Sequence, residues 1–182
     1  MRIADTEIAD VKLVEPDVFG DDRGFFMETW RRDVFADAGI EGPWLQDNHS
    51  RSVKYVLRGI HYQIQQPQGK LVRATRGGIF DVAVDLRRSS PTFKQWAGRE
   101  LTEDNKAMLW VPPGFGHAFL ALSDETEIQY KCTDYYAPEH DRTIVWNDPD
   151  LAIDWPLPEG EQPLLSAKDG AGYLLSAADL YA

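Results

Sequence analysis

Apolar positions along the chain recur at every second residue in short runs, and glycine or proline interrupts most of them. The pattern is clearest from Thr126 to Thr133. Thr126, Ile128, Tyr130 and Cys132 fall on one face, with Glu127, Gln129, Lys131 and Thr133 on the other, so the run predicts a strand whose Tyr130 points into the interior with Ile128. Ile79 to Leu86 predicts another, setting Phe80, Val82, Val84 and Leu86 against Asp81, Ala83 and Asp85. Leu71–Thr75 precedes it across a Gly77-Gly78 turn, Phe93–Leu101 follows it, and Leu109 opens a strand entering the tight turn that presents His117. Residues 8 to 18 begin as a strand through Val11 and Leu13 and stop at Pro16. Phe19 to Glu28 reads as a turn in which Gly20 and Gly24 supply unusual dihedrals and Phe25 and Phe26 act as anchors. Helical spacing is confined to Arg31–Ala38, with Gly39 placed to cap it. The polar cluster Gln46-Asp-Asn-His-Ser50 predicts a loop, and strand alternation is lost beyond Tyr135, leaving an irregular tail and a short cap over the last thirteen residues.

Many short strands, specific turns and brief helices predict an all-β fold: an antiparallel barrel or double-sheet jelly roll with short peripheral helices. Its lumen, lined by every second residue, is the natural pocket. A length of 182 residues with 43% hydrophobic content suits one core, hence one domain over residues 1–182. A net charge of -11 argues against nucleic acid as a partner, although a local basic pocket can still hold a small anion. The single Cys132, the lack of a signal-like start and the lack of an apolar run of spanning length predict a cytoplasmic protein without a membrane partner.

The densest polar stretch in this strand-rich region is Arg58-Gly-Ile-His-Tyr-Gln-Ile-Gln-Gln-Pro-Gln-Gly-Lys70, which carries a guanidinium, an imidazole, carboxamides and an ammonium. Three chemistries are open to it. A metal site built on His61 and His117 lacks an obvious third ligand, because Gln63 and Lys70 stand where further ligands are wanted and an ammonium repels a divalent cation. Nucleophilic hydrolysis lacks a Gly-x-Ser-x-Gly elbow, and Cys132 reads as a small buried apolar group. Proton transfer beside a carbonyl needs a base, an acid on the opposite face and cations for an enolate oxygen; His61, Tyr130, Arg58 and Lys70 are the candidates, with Asp169 as a partner for the imidazole. One obstacle is geometric: on a regular strand Arg58 and His61 point to opposite faces, so they share a cavity only if the strand bends or bulges near Gly59.

Nine motifs in register then name a family. They are Gly20-Asp-Asp-Arg-Gly-Phe-Phe-Met-Glu28, Gln46-Asp-Asn-His-Ser50, Leu57-Arg-Gly-Ile-His-Tyr-Gln63, Gln68-Gly-Lys-Leu-Val72, the run from Phe80 to Pro91, the run from Trp110 to Phe119, Tyr130-Lys-Cys-Thr-Asp-Tyr-Tyr136, Trp146-Asn-Asp-Pro149 and Leu165-Ser-Ala-Lys-Asp169. Together they resemble the dTDP-4-dehydrorhamnose 3,5-epimerases over essentially residues 1 to 175. The resemblance implies a cofactor-independent, metal-free cupin jelly roll (a double-stranded β-helix) that is dimeric, an N-terminal segment of each subunit completing the neighbour's sheet. It implies epimerisation of dTDP-4-dehydro-6-deoxy-D-glucose at C3 and C5 to dTDP-4-dehydro-L-rhamnose. By motif, it gives His61 as base, Asp169 as its partner, Tyr130 as acid, and Arg58 and Lys70 around the sugar carbonyl. Substrate contacts follow at Arg23, Glu28, Gln46, Asp47, Asn48, His117 and Lys168, with Tyr136 stacked on thymine. Asp141 stands where the family usually has Glu, a reach shorter by one methylene. A single-centre 5-epimerase, a ketoisomerase on a dTDP-4-keto sugar, and a non-catalytic sugar-nucleotide-binding cupin are the competing readings.

Overall fold

The structure is a computed structural model that describes residues 1–182. Two antiparallel sheets face each other, with strands numbered in chain order. One sheet runs β1 (Arg2–Asp5), β2 (Lys12–Glu15), β10 (Met108–Val111), β7 (Lys70–Arg76), β12 (Thr126–Cys132) and β5 (Gln46–Ser52). The other runs β13 (Asp141–Thr143), β6 (Leu57–Gln63), β11 (Phe115–Ala121), β8 (Gly78–Asp85) and β9 (Trp96–Thr102). A ribbon of β3 (Val18–Asp21) and β4 (Gly24–Met27) pairs with neither. Helices are limited to α1 (Arg32–Asp37), α2 (Ala167–Gly170) and two 3-10 turns. The all-β jelly roll of cupin type is therefore the observed fold.

Three apolar clusters account for the layers. Val72, Ala74, Leu109 and Ile128 of the six-stranded sheet meet Ile79, Ala83, Leu101, Phe115 and Phe119 of the five-stranded sheet in the lumen. Leu57, Ile60, Tyr62, Val82, Val84 and Leu86 leave the other face of the five-stranded sheet and are covered by Ile144, Leu151, Trp155 and Leu175 from the tail. Phe35 of α1 and Ile40 cover Val14, Leu71, Met108 and Trp110 outside the six-stranded sheet. Each sheet thus buries apolar side chains on two faces, which is why β8 carries no solvated side. Its second face, with Asp81 and Asp85 beside Ala83, is also fully buried.

Several elements depart from the sequence reading, which also lacks β1 and β13 and sets His117 in a turn rather than within β11. Residues 46–50 form most of β5 rather than a loop, paired with β12 from Gln46 opposite Cys132 to Ser52 opposite Thr126. Burial does alternate there: Gln46, Asn48, Ser50 and Ser52 point inward and Asp47, His49 and Arg51 outward. The inward residues are polar, so apolar periodicity carries no trace of the strand. The strand expected over residues 8 to 18 is shortened to β2, with Ile8 and Val11 buried in the preceding turn. Phe93 lies in a turn, and β9 begins only at Trp96. The helix matches its expected span closely, with Phe35 buried and Gly39 at φ 75° beyond its end.

Candidate active site

A cavity of about 300 Å³ is lined from both sheets: Asn48 of β5, Lys70 of β7 and Tyr130 of β12 on one side, His61 and Gln63 of β6 and Asp141 of β13 on the other. Larger cavities lie among Trp30, Ile40 and Trp44 and around Pro112, and one of about 320 Å³ shares Asn48 and Tyr130 from the side of His49 and Lys131, but none of them contains His61 or Lys70.

His61 owes its direction to an irregularity in β6. The pairing of β11 passes from His117 opposite His61 to Phe119 opposite Arg58, so Gly59 and Ile60 together face Ala118. This is a bulge. The additional residue sends both Leu57 and Ile60 to the outer cluster and leaves Arg58 and His61 on the lumen face. Gly59 sits at φ 122°, and a Cβ there would stand 2.6 Å from the His117 carbonyl oxygen and 2.5 Å from Ala118 Cβ. Gly59→Ala is therefore expected to destabilise the fold by about 3 kcal/mol, read as a lower denaturation midpoint with an unchanged denaturant slope. The guanidinium of Arg58 nevertheless does not line the cavity. It is exposed and donates to Ser52 Oγ at 3.3 Å and to the Arg51 carbonyl at 3.2 Å.

Behind His61 stands Asp169, which is 3% exposed. Nε2 of His61 lies 2.7 Å from Asp169 Oδ1, within ion-pair range although off the line of a good hydrogen bond. Asp169 Oδ1 also accepts from the Gly59 N–H at 3.1 Å, and Oδ2 from the Ser166 hydroxyl at 2.6 Å. Ser166 in turn caps α2 by accepting from the Asp169 N–H. Burial alone pushes the Asp169 carboxyl up, but the close contact with His61 and the bonds from Ser166 and Gly59 outweigh it and hold the group well below the usual carboxylate range. His61 moves down as well, because burial and the charges of Lys168 and Lys70 outweigh the pull of Asp169. An imidazole backed by a fixed carboxylate and kept neutral suits it to accept a proton.

Tyr130 faces the cavity from the opposite sheet, beside Asn48 in register, and burial raises its phenol above the usual value. Lys70 has no ion-pair or hydrogen-bond partner, and burial lowers its ammonium. An unpaired ammonium in a confined site is available to a developing oxyanion. His117 points to the lumen but is 7% exposed, and its Nε2 lies 2.8 Å from Asp81 Oδ1. The second oxygen of Asp81 has no partner. No three His, Cys, Asp or Glu side chains cluster as a metal site.

At the rim, Asp141 Oδ2 accepts from the Tyr136 hydroxyl at 3.0 Å and pairs with Lys168 Nζ, so the shortened side chain ties two of the expected contacts to each other. The cavity thus gathers His61, Lys70, Tyr130, Gln46, Asn48, Tyr136, Asp141 and Lys168, with Asp169 directly behind. Arg23 and Glu28 are not among them. Arg23 is on the ribbon, 89% exposed and paired with Asp21, and Glu28 lies near Arg31. Asp47 faces outward and pairs with Lys131. Sequence reasoning missed Gln68, Phe115 and Tyr181 as wall residues, and Ser166 as the anchor of Asp169. Ser166 left a local signal, the Ser-x-x-Asp spacing of a helix cap, Gln68 and Phe115 lie inside two of the motifs, and Tyr181 left none.

Comparison with known proteins finds relatives over nearly the whole chain. A sequence model described as dTDP-4-dehydrorhamnose 3,5-epimerase matches residues 5–177. The dTDP-4-dehydrorhamnose 3,5-epimerase of Pseudomonas aeruginosa is 57% identical over 182 residues, which cover 100% of this chain and 99% of that protein. The crystal structure of dTDP-6-deoxy-D-glucose-3,5-epimerase from Legionella pneumophila, in complex with dTDP-4-keto-L-rhamnose, superposes with a TM-score of 0.94 at 51% identity, covering 98% of this chain and 94% of that one. The Bacillus anthracis dTDP-4-dehydrorhamnose 3,5-epimerase, with TDP and PPi bound, gives a TM-score of 0.90 at 44% identity over 95% of this chain and 98% of that one.

Proposed function

The chain belongs to the dTDP-4-dehydrorhamnose 3,5-epimerase family, and from that premise we propose how its own residues carry out the reaction. The protein is an isomerase that converts dTDP-4-dehydro-6-deoxy-D-glucose to dTDP-4-dehydro-L-rhamnose. The 4-keto group acidifies the protons on C3 and C5, so one site serves both centres. His61 takes the C5 proton, with Asp169 fixing the ring and stabilising the imidazolium. Lys70 holds the charge that develops on O4. Tyr130 returns a proton from the other face, and ring reorientation then presents C3 to the same base. The observation that carries this reading is the placement of His61 and Tyr130 on strands of opposing sheets that line one cavity. A base and an acid on opposite walls give inversion, whereas one residue on one wall gives exchange with retention. Arg58 joins the clamp when its guanidinium leaves Ser52 for the substrate.

The test is NMR of the 4-keto sugar nucleotide in deuterium oxide with this protein alone. Deuterium at both C3 and C5 of an inverted product is expected. Exchange at one centre only would favour a single-centre epimerase, a ketose product a ketoisomerase, and no exchange a binding protein.

Burial of the imidazole, assisted by the charge of Lys168, keeps His61 neutral at lower pH than an ordinary imidazole, with a pKa of about 6.5, would be. Removing that charge as Lys168→Gln is expected to move the acid limb of kcat/KM to higher pH, together with a higher KM, in a pH-rate profile.

Two further parts of the reading concern assembly. The chain acts as one domain and as a homodimer in which the β3–β4 ribbon carries Arg23 and Glu28 to the partner's cavity. Phe19, Phe25 and Phe26 support this, standing 66%, 59% and 70% exposed on a ribbon that joins neither sheet. Mixing inactive Arg23→Ala and His61→Ala proteins is then expected to restore activity, since each mixed dimer holds one site with neither lesion. No recovery after verified subunit exchange would place Arg23 in its own subunit's site.

A further inference from the structure

Gln63 lines the cavity and is 4% exposed, yet both polar ends of its carboxamide are bonded to backbone rather than left for a ligand. Nε2 donates to the Gln66 carbonyl at 2.7 Å and to the Tyr135 carbonyl at 3.2 Å. Oε1 accepts from the Ala137 N–H at 2.9 Å. One carboxamide therefore grips the backbone on both sides of Tyr136. The Tyr136 N–H itself donates to Gln46 Oε1 at 2.9 Å, and Gln68 Nε2 donates to the preceding Asp134 carbonyl at 2.8 Å. Residues 134–137 belong to no strand or helix, so these side chains replace the ladder that would otherwise fix the segment. The ring they hold is 55% exposed at the mouth of the cavity. An exposed aromatic on a loose loop loses freedom when a flat ligand stacks on it, and one held at its backbone has already lost most of it.

We propose that Gln63 is a positioning residue whose carboxamide sets the pose of Tyr136 for stacking on the nucleobase of the substrate. The proposal rests on the reading of Tyr136 as the base-stacking residue, and extends it to a group that touches no substrate. The identity of the amide is what matters. Glutamate at this position has nearly the same shape and still accepts from Ala137, but it offers no hydrogen to the Gln66 and Tyr135 carbonyls and sets its charge against their oxygens. Methionine fills the space with no charge and no polar bond.

The experiment measures calorimetric affinity for thymidine diphosphate, alongside kcat and KM for the sugar nucleotide, in Gln63→Glu, Gln63→Met, Tyr136→Ala and the Gln63→Glu/Tyr136→Ala double variant. Gln63→Glu and Gln63→Met are expected to raise Kd and KM about tenfold, within the range a base–aromatic stack supplies, while kcat at saturation stays within about threefold. Retained kcat shows that the fold and the His61 pair are intact. Tyr136→Ala is expected to raise Kd by a similar factor, and the double variant no further. Wild-type affinity in both Gln63 variants, a collapse of kcat, or losses that multiply in the double variant would overturn the positioning role while leaving Tyr136 as the stacking residue. Unchanged affinity in Tyr136→Ala would instead remove the stacking reading, and the proposal with it.

Discussion

His61→Ala is expected to lower turnover about a thousandfold, the middle of the range that a positioned general base contributes, and to stop deuterium from entering at C5. Both effects follow from one loss, because the imidazole is the group in the cavity with a carboxylate behind it and a lowered proton affinity. Rapid-quench NMR in deuterium oxide reads exchange and product together. C5 exchange retained at the wild-type rate would reject His61 as the base. Asp169→Asn sharpens the test. An amide keeps the shape and can still accept from Gly59, but it loses the charge that stabilises an imidazolium. The expected result is a loss of about a hundredfold in kcat with little change in KM, since an interaction made mainly in the transition state is removed.

Tyr130→Phe separates the two halves of the reaction. Removing one oxygen leaves the wall and the base in place, so C5 deprotonation continues and deuterium washes into recovered substrate. Product formation, which needs a proton from the other face, is expected to fall by about a hundredfold or more. The ratio of exchange to turnover therefore rises steeply, whereas a merely structural defect lowers both. Wild-type epimerisation in this variant would remove Tyr130 as the acid. Burial raises its phenol, so the group stays protonated across the working range and can act as a donor.

The strands were legible because their buried positions are apolar: Ile128 of β12 faces the lumen and Val82 and Val84 of β8 face the outer cluster, each in the expected alternation. β5 was hidden because the lumen turns polar where the cavity lies, and Gln46 and Asn48 read as loop residues. The place of Arg58 on the same face as His61 was legible only as a condition, a distortion at Gly59, and the bulge of Gly59 and Ile60 against Ala118 meets that condition through a pairing with β11 that the sequence of β6 alone does not specify. Asp169 could be named from its motif, but its contact with Gly59 spans a sequence separation of 110 residues that no local pattern encodes. Tyr181 was invisible for the same reason. Its hydroxyl donates to the Gln63 carbonyl at 2.5 Å from beyond the residues that the family comparison matches.

The covering of the five-stranded sheet by the tail has a temporal consequence. Ile144, Leu151, Trp155 and Leu175 pack on β6 and β8, and the same stretch of chain carries Asp169 to His61. During synthesis the barrel strands emerge first, and the carboxylate that completes the base follows only with residues 166–170. A chain still emerging from the ribosome therefore has its barrel strands before it has a competent base. Activity is in this sense a reporter of whether the tail has docked.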